Sequence, residues 1–244
     1  VTREEARQKL IFALDVRGED EVQAWASRLA AHVGMFKIGK QLFTASGPAT
    51  VRMIMERGGS VFLDLKYHDI PNTVAMAAVE AARLGARLFN LHALGGYEMM
   101  AKTREALDAA FPDGNRGKVL AVTILTSSTE ATLRDVGIDH PVPEMVVRLA
   151  ALAKKAGLDG VVASPQEVGL IREACGRDFL IVTPGVRPAF AAADDQKRIM
   201  TPSEAIQAGA DYLVIGRPIA AAADPVAATE AIIDEIIAGA EHAH

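Results

Sequence analysis

The chain has 244 residues, 50% of them hydrophobic and 23% charged, with a net charge of −5; no cluster of five or more Lys or Arg could track a phosphate backbone, so nucleic acid is not an expected partner. The single cysteine, Cys175, excludes an internal disulfide, and a chain of this length buries a sufficient core without staples. No apolar run nears the roughly 20 residues that span a bilayer, and the charged opening "VTREEARQKL" has no apolar signal region, so no membrane contact and a cytoplasmic location are expected.

Eight short runs rich in β-branched and other apolar residues follow one another: "LIFALD" (10–15), "MFKIG" (35–39), "SVFLDLK" (60–66), "RLFNLHA" (87–93), "VLAVTILT" (119–126), "GVVAS" (160–164), "FLIVTPGV" (179–186) and "DYLVIGR" (211–217). Between them lie helical stretches such as "PNTVAMAAVEAARLGA", where Val74, Ala78, Ala81 and Ala82 share a face while Glu80 and Arg83 take water. Ser164 to Glu167 and Thr201 to Glu204 each supply a capping hydroxyl, a first-turn proline and an acid three residues after the cap. Gly85, Gly157, Gly176 and Gly209 close helices. Cys175, late in the helical "EVGLIREACG", reads as a buried thiol. Eight such units averaging about 30 residues, without a linker, predict an α/β chain folded as one (β/α)₈ TIM barrel domain over 1–244. A doubly wound open sheet is the alternative.

Barrel chemistry lies at the C-terminal ends of the strands, and polar residues line up there: Asp15, Lys37, Asp64 with Lys66, His92, Thr126, Ser164, Pro184 to Arg187, and Arg217. The strand starts, by contrast, carry little charge in this reading. Asp64 and Lys66 are two apart, so on an extended strand both face the barrel mouth, with Asp69 three further on. An ion pair at a strand end can be structural, but replacing four compensating ions by apolar residues is often neutral or stabilising, so stability alone does not explain Asp15, Lys37, Asp64 and Lys66 on one rim. "TPGVRP" (183–188) and "VIGRP" (214–218) each place a glycine and an arginine after a strand, a pattern suited to phosphate.

Together, "FALD", "FKIG", "LDLKYHDIPNT", "NLHALGG", "VTILTS", "TPGVRP" and "VIGRPI" resemble the orotidine 5′-monophosphate decarboxylase family from about Leu10 to about Pro225. The resemblance implies a homodimer of TIM barrels that converts orotidine 5′-monophosphate to UMP and CO₂ with no metal and no cofactor. It implies that Lys66 protonates C6 of the pyrimidine, that Asp64 presses on the substrate carboxylate, and that Asp69, with the Thr73 hydroxyl, enters the neighbouring subunit's site. Ile70 joins these substrate contacts. Lys37 completes the alternating charge array and, with Asp15, holds the ribose hydroxyls. Thr126 matches the pyrimidine-binding segment; Arg187, Gln196, Gly216 and Arg217 match phosphate-loop positions, and Pro184 belongs to the same substrate-binding set. Asp64 and the neighbour's Asp69 are expected to favour the ammonium form of Lys66.

The sister 3-keto-L-gulonate 6-phosphate decarboxylases share the D-x-K-x-x-D string but use Mg²⁺. They place a glutamate ligand near the end of the second strand, where this chain has Lys37. A phosphate-ligand binder that has lost catalysis is a third reading, opposed by the intact charge array. His92 reads as a structural hydrogen-bonder, Trp25, Phe36 and Met53, Met55, Met99 and Met100 as packing residues, and 188–200 as a candidate lid.

Overall fold

The computed structural model describes residues 1–191 and 200–242. Eight parallel strands close into a barrel in sequence order, β1 (Leu10–Leu14), β2 (Met35–Gly39), β3 (Val61–Tyr67), β4 (Leu88–His92), β5 (Lys118–Val122), β6 (Gly160–Val162), β7 (Leu180–Pro184) and β8 (Tyr212–Ile215), with β8 pairing back onto β1. This is the predicted TIM barrel, and the open doubly wound sheet is ruled out by the β1–β8 pairing. All eight predicted runs contain a strand, but most strands stop one to four residues early. β5, for example, ends at Val122, the last residue in register with both β4 and β6, which puts Thr126 in the following loop.

Strand alternation sorts the apolar side chains into two layers. Ile11, Ala13, Met35, Phe62, Leu88, Leu120, Val122, Val162, Val182 and Val214 form a cluster built from strands alone, the barrel interior. Their neighbours Leu10, Phe12, Leu14, Phe36, Ile38, Leu63, Phe89 and Leu91 instead pack with helical residues such as Val22, Ala26 and Leu29. Phe12, Phe36, Phe62 and Phe89 are all fully buried, each contributing roughly 1.5–3 kcal/mol of burial free energy. The helix Pro71–Arg83 buries Val74, Ala78, Ala81 and Ala82 and exposes Glu80 and Arg83, as its spacing predicts. Gly85 and Gly209, past their helix ends, have φ of 85° and 105°. Cys175 is buried, and burial pushes its thiol pKa up.

Two features differ from the sequence reading. A helix at Arg3–Lys9 precedes β1, opened by a capping box between Thr2 and Glu5. The strand starts, expected to carry little charge, hold a buried ion network. Arg116 donates to both carboxylate oxygens of Asp159, at 2.7 and 3.1 Å, and Asp159 also accepts the Val119 N–H. Arg172 joins five groups of neighbouring loops, among them Asp211 at 2.8 Å. These ions tie the loops of the barrel floor together through their backbone carbonyls. No helix among the described residues is long and apolar enough to cross a membrane.

Candidate active site

At the opposite end of the barrel, inward-facing positions change from apolar to charged within one turn of the pleat. Lys37 follows Met35 on β2, Asp64 follows Phe62 on β3, and Asn90 and His92 follow Leu88 on β4. Lys66 Nζ lies 2.5 Å from Asp64 Oδ1, Lys37 Nζ lies 3.6 Å from Asp64 Oδ2, and Lys37 Nζ reaches Asp15 Oδ1 at 3.4 Å. The order along the rim is therefore Asp15, Lys37, Asp64, Lys66, with signs alternating. Asp15 is open to solvent, whereas the Lys37 and Asp64 side chains are only 14% and 12% exposed, so their mutual attraction is weakly screened.

The route by which Lys66 meets Asp64 is not simple alternation. The β3–β4 register passes from Leu63↔Phe89 to Tyr67↔Leu91, four residues against two, so β3 bulges between them. Lys66 sits in that bulge at φ 52°, the one non-glycine with positive φ among the described residues, a conformation that costs about 1–2 kcal/mol. Its N–H leaves the ladder and donates to Asn90 Oδ1 at 2.8 Å, while Asn90 Nδ2 donates to Asp64 Oδ1 at 2.7 Å.

Three hollows adjoin this array. One of about 200 Å³ is lined by Phe62, Asp64, Lys66, Val122, Thr126 and Pro184. A second, of about 620 Å³, lies beyond Lys37 and Asp15 and is walled by Arg187, Gly216 and Arg217. A third, of about 240 Å³, is bounded by Lys37, Lys40, Gln41, Asp64 and Lys66. Gly185, at φ 81°, turns the chain out of β7, and a Cβ on Gly216 would stand 3.0 Å from that of Ala13, so each loop needs its glycine to reach around the larger hollow. Arg217 is the first residue of the helical turn Arg217–Ala220, solvent-exposed and without an ion-pair partner within 4 Å among the described residues.

The sequence model of the orotidine 5′-phosphate decarboxylase / HUMPS family matches residues 8–232. This chain belongs to that family. Orotidine 5′-phosphate decarboxylase of Geotalea uraniireducens (strain Rf4) is 76% identical over 238 residues, covering 98% of this chain and 99% of its own length. The Geobacter sulfurreducens protein of the same name is 73% identical over 239 residues, 98% and 100% of the two chains. Among solved structures, orotidine 5′-phosphate decarboxylase from Lactobacillus acidophilus matches with a TM-score of 0.82 at 41% identity, over 93% of this chain and 98% of that one. The Pyrococcus horikoshii OT3 enzyme matches with a TM-score of 0.74 at 26% identity, over 93% and 99%.

Of the residues singled out from the resemblance to this family, Asp15, Lys37, Asp64 and Lys66 come together as an array, and Thr126, Pro184, Arg187, Gly216 and Arg217 line the adjoining hollows. Asp69, Ile70 and Thr73 do not join their own chain's array. They sit exposed at the start of the helix Pro71–Arg83, and the Asp69 carboxylate accepts the Ile70 N–H at 2.6 Å. Gln196 and most of the candidate lid lie outside the described residues, although Arg187 N–H donates to the Met200 carbonyl across that stretch at 3.1 Å. Ser164 lines none of these hollows and caps the turn Pro165–Glu167.

Sequence reasoning missed Asn90, Lys40 and Gln41 among residues this family member brings to the mouth. Asn90 had a signal, a polar residue two positions before His92 and so on the same strand face. His92 itself lies against His68, the rings tilted by 41° with their centres 5.7 Å apart. Burial, then the neighbouring His68, Lys40 and Lys66, hold its pKa down at about 4, so the imidazole is neutral near pH 7 and adds no cation beside Lys66.

Proposed function

We infer that this chain decarboxylates orotidine 5′-phosphate to UMP and CO₂, acting as a carbon–carbon lyase on one barrel domain spanning 1–244. The observation that carries the reading is the Lys66 ammonium, held against Asp64 in the wall of the small hollow, with the arginine-lined larger hollow adjoining it across Lys37, Pro184 and Val214. The phosphate would lie against Arg187, Gly216 and Arg217, the ribose between Asp15 and Lys37, and the pyrimidine among Phe62, Val122, Thr126 and Pro184. Breaking the C6–carboxylate bond leaves its electron pair in the ring plane, out of conjugation with the ring carbonyls, so stabilisation must come from a nearby positive charge. Lys66 Nζ supplies it, and one preorganised donor aimed at a developing anion is worth about 3–4 kcal/mol in comparable sites. The same nitrogen then passes a proton to C6 as CO₂ leaves and recovers a proton from water. Binding energy from the distant phosphate would hold the carboxylate against Asp64.

The reading includes a metal-free reaction, a cytoplasmic setting and a homodimer. For the first, the support is Lys37 Nζ at 3.6 Å from Asp64 Oδ2, an ammonium placed where it would repel a divalent cation. For the dimer, Ile70, Met76, Leu94 and Tyr97 are all exposed on neighbouring elements that follow β3 and β4, an apolar surface suited to a second copy of this chain. Asp69, Ile70 and Thr73 border that surface and would enter the partner's site.

The test follows the absorbance change of orotidine 5′-phosphate with the purified chain and with Lys66→Ala. Turnover by the wild type and severe loss of kcat in a folded Lys66→Ala protein are expected. A variant with near-native kcat would remove Lys66 from the mechanism, and loss of wild-type activity in EDTA that Mg²⁺ restores would favour the Mg²⁺-dependent sugar-phosphate reading.

A further inference from the structure

We propose that Asn90 is the positioning residue that sets the reacting geometry of Lys66 and Asp64 together, an inference that rests on the decarboxylase reading above. Asn90 is fully buried within the barrel interior, paired in register with the apolar Leu120 of β5. A primary amide placed there loses its hydration, so it persists only if its polar ends are paired. Both ends are spent on the site: Oδ1 on the backbone N–H of Lys66, Nδ2 on the carboxylate of Asp64. Donor and acceptor chemistry fixes the orientation of the amide, because turning it over would set oxygen against carboxylate and NH₂ against N–H.

Two independent features make this clamp decisive for Lys66. The bulge in β3 removes the Lys66 N–H from the β3–β4 ladder, and the left-handed backbone at Lys66 survives only where its surroundings over-determine it. Asn90 provides that restraint from the facing strand. In addition, Asp64 Oδ1 receives Asn90 Nδ2 and Lys66 Nζ on the same oxygen. The amide therefore fixes the plane of the carboxylate, and the carboxylate in turn fixes the ammonium. Asn90 itself lines none of the three hollows at the mouth, so it acts through Lys66 and Asp64 and not by touching substrate.

Asn90→Asp tests this, since it changes one NH₂ to an oxygen without changing shape. At alkaline pH, where the new acid is ionised although burial and Asp64 push its pKa up, the carboxylate at position 90 opposes Asp64, and kcat should fall by about 100-fold or more, the scale expected when a reacting group is displaced by about an ångström. KM should stay within about 3-fold, because the phosphate and ribose contacts are untouched. As pH falls toward about 5.5, a protonated acid at 90 regains both functions, its carbonyl accepting the Lys66 N–H and its hydroxyl donating to Asp64. The ratio of variant to wild-type kcat should therefore rise with acidity. The ionisable groups facing position 90 are Asp64 and Lys66 from β3, Lys37 from β2 and His92 on its own strand, and the ratio divides out their shared titration.

A near-native kcat, a ratio that does not vary with pH, or a rise in KM that accounts for the loss would each overturn the proposal. If Asn90→Asp does not fold, Asn90→Ser takes its place, since a hydroxyl cannot span both partners. It should keep UMP affinity within about 3-fold while losing kcat and affinity for a UMP analogue bearing an oxyanion at C6. Equal loss of both affinities, or of neither, would overturn the proposal. A wild type that does not turn over orotidine 5′-phosphate would sink the decarboxylase reading itself, whereas an active wild type with unaffected variants sinks only the role of Asn90.

Discussion

Acidification should destabilise this protein through His92, and His92→Asn should remove the effect. The imidazole is held at about 4 against an ordinary 6.5, first by burial and then by the cations around it. Between those values the unfolded chain binds a proton that the native state refuses. Stability is therefore full above about pH 6.5 and falls as pH drops toward about 4, where the loss levels off. A displacement of that size corresponds to about 3 kcal/mol at roughly 1.4 kcal/mol per pH unit; because the ring is only partly buried, screening by solvent reduces this to about 2 kcal/mol. For a chain of this length that is a fall in Tm of about 4–8 °C. Thermal or urea unfolding of both proteins at about pH 7 and about pH 4.5 measures it, the wild type losing about 2 kcal/mol more than the variant. Parallel losses would show that His92 titrates normally in the folded chain and that burial and its neighbours Lys40, Lys66 and His68 do not hold its proton off.

Asp159→Asn at the barrel floor should cost about 1–3 kcal/mol in urea unfolding, because the Arg116 guanidinium, 6% exposed, loses its two-pronged carboxylate and keeps only Asp108 at 3.3 Å. Burial alone would raise the Asp159 pKa, but the bonds from Arg116 and Val119 outweigh it and leave the group below 3.8; its contribution is thus present above that value and lost as pH falls through the lower one, an acid-induced loss the variant should lack. Arg217→Ala should lower kcat/KM by about 10- to 100-fold, the loss of a charge-assisted phosphate contact, while its melting curve stays near that of the wild type; an unchanged kcat/KM would place the phosphate elsewhere. Mixing Asp69→Ala with Lys66→Ala protein should restore roughly a quarter of wild-type activity through hybrid dimers that carry one intact site. No recovery after verified subunit exchange would count against a site shared between subunits.

What the sequence discloses and what it hides divide along physical lines. The barrel was legible because each strand is a short apolar run between stretches of helical spacing, and the caps that do occur, such as Thr201 to Glu204, are local patterns that the structure reproduces. The helix Arg3–Lys9 carries the same kind of box, Thr2 with Glu5, but only Ala6 within it is buried, so it lacks the apolar face that marks the longer helices. At the mouth, Lys37 and Asp64 point inward because a regular strand alternates, which sequence spacing states directly. Lys66 reaches Asp64 by another means. Its strand departs from regular pairing at that point, and the left-handed φ that turns Nζ onto Asp64 has no signature in D-x-K. Asn90 shares that concealment, since its partners lie 24 and 26 residues away and meet it only through the β3–β4 register, a property of two strands together. The charged residues of a catalytic mouth can thus be read from one strand at a time, whereas the neutral residue that aims them is defined by how two strands are set against each other.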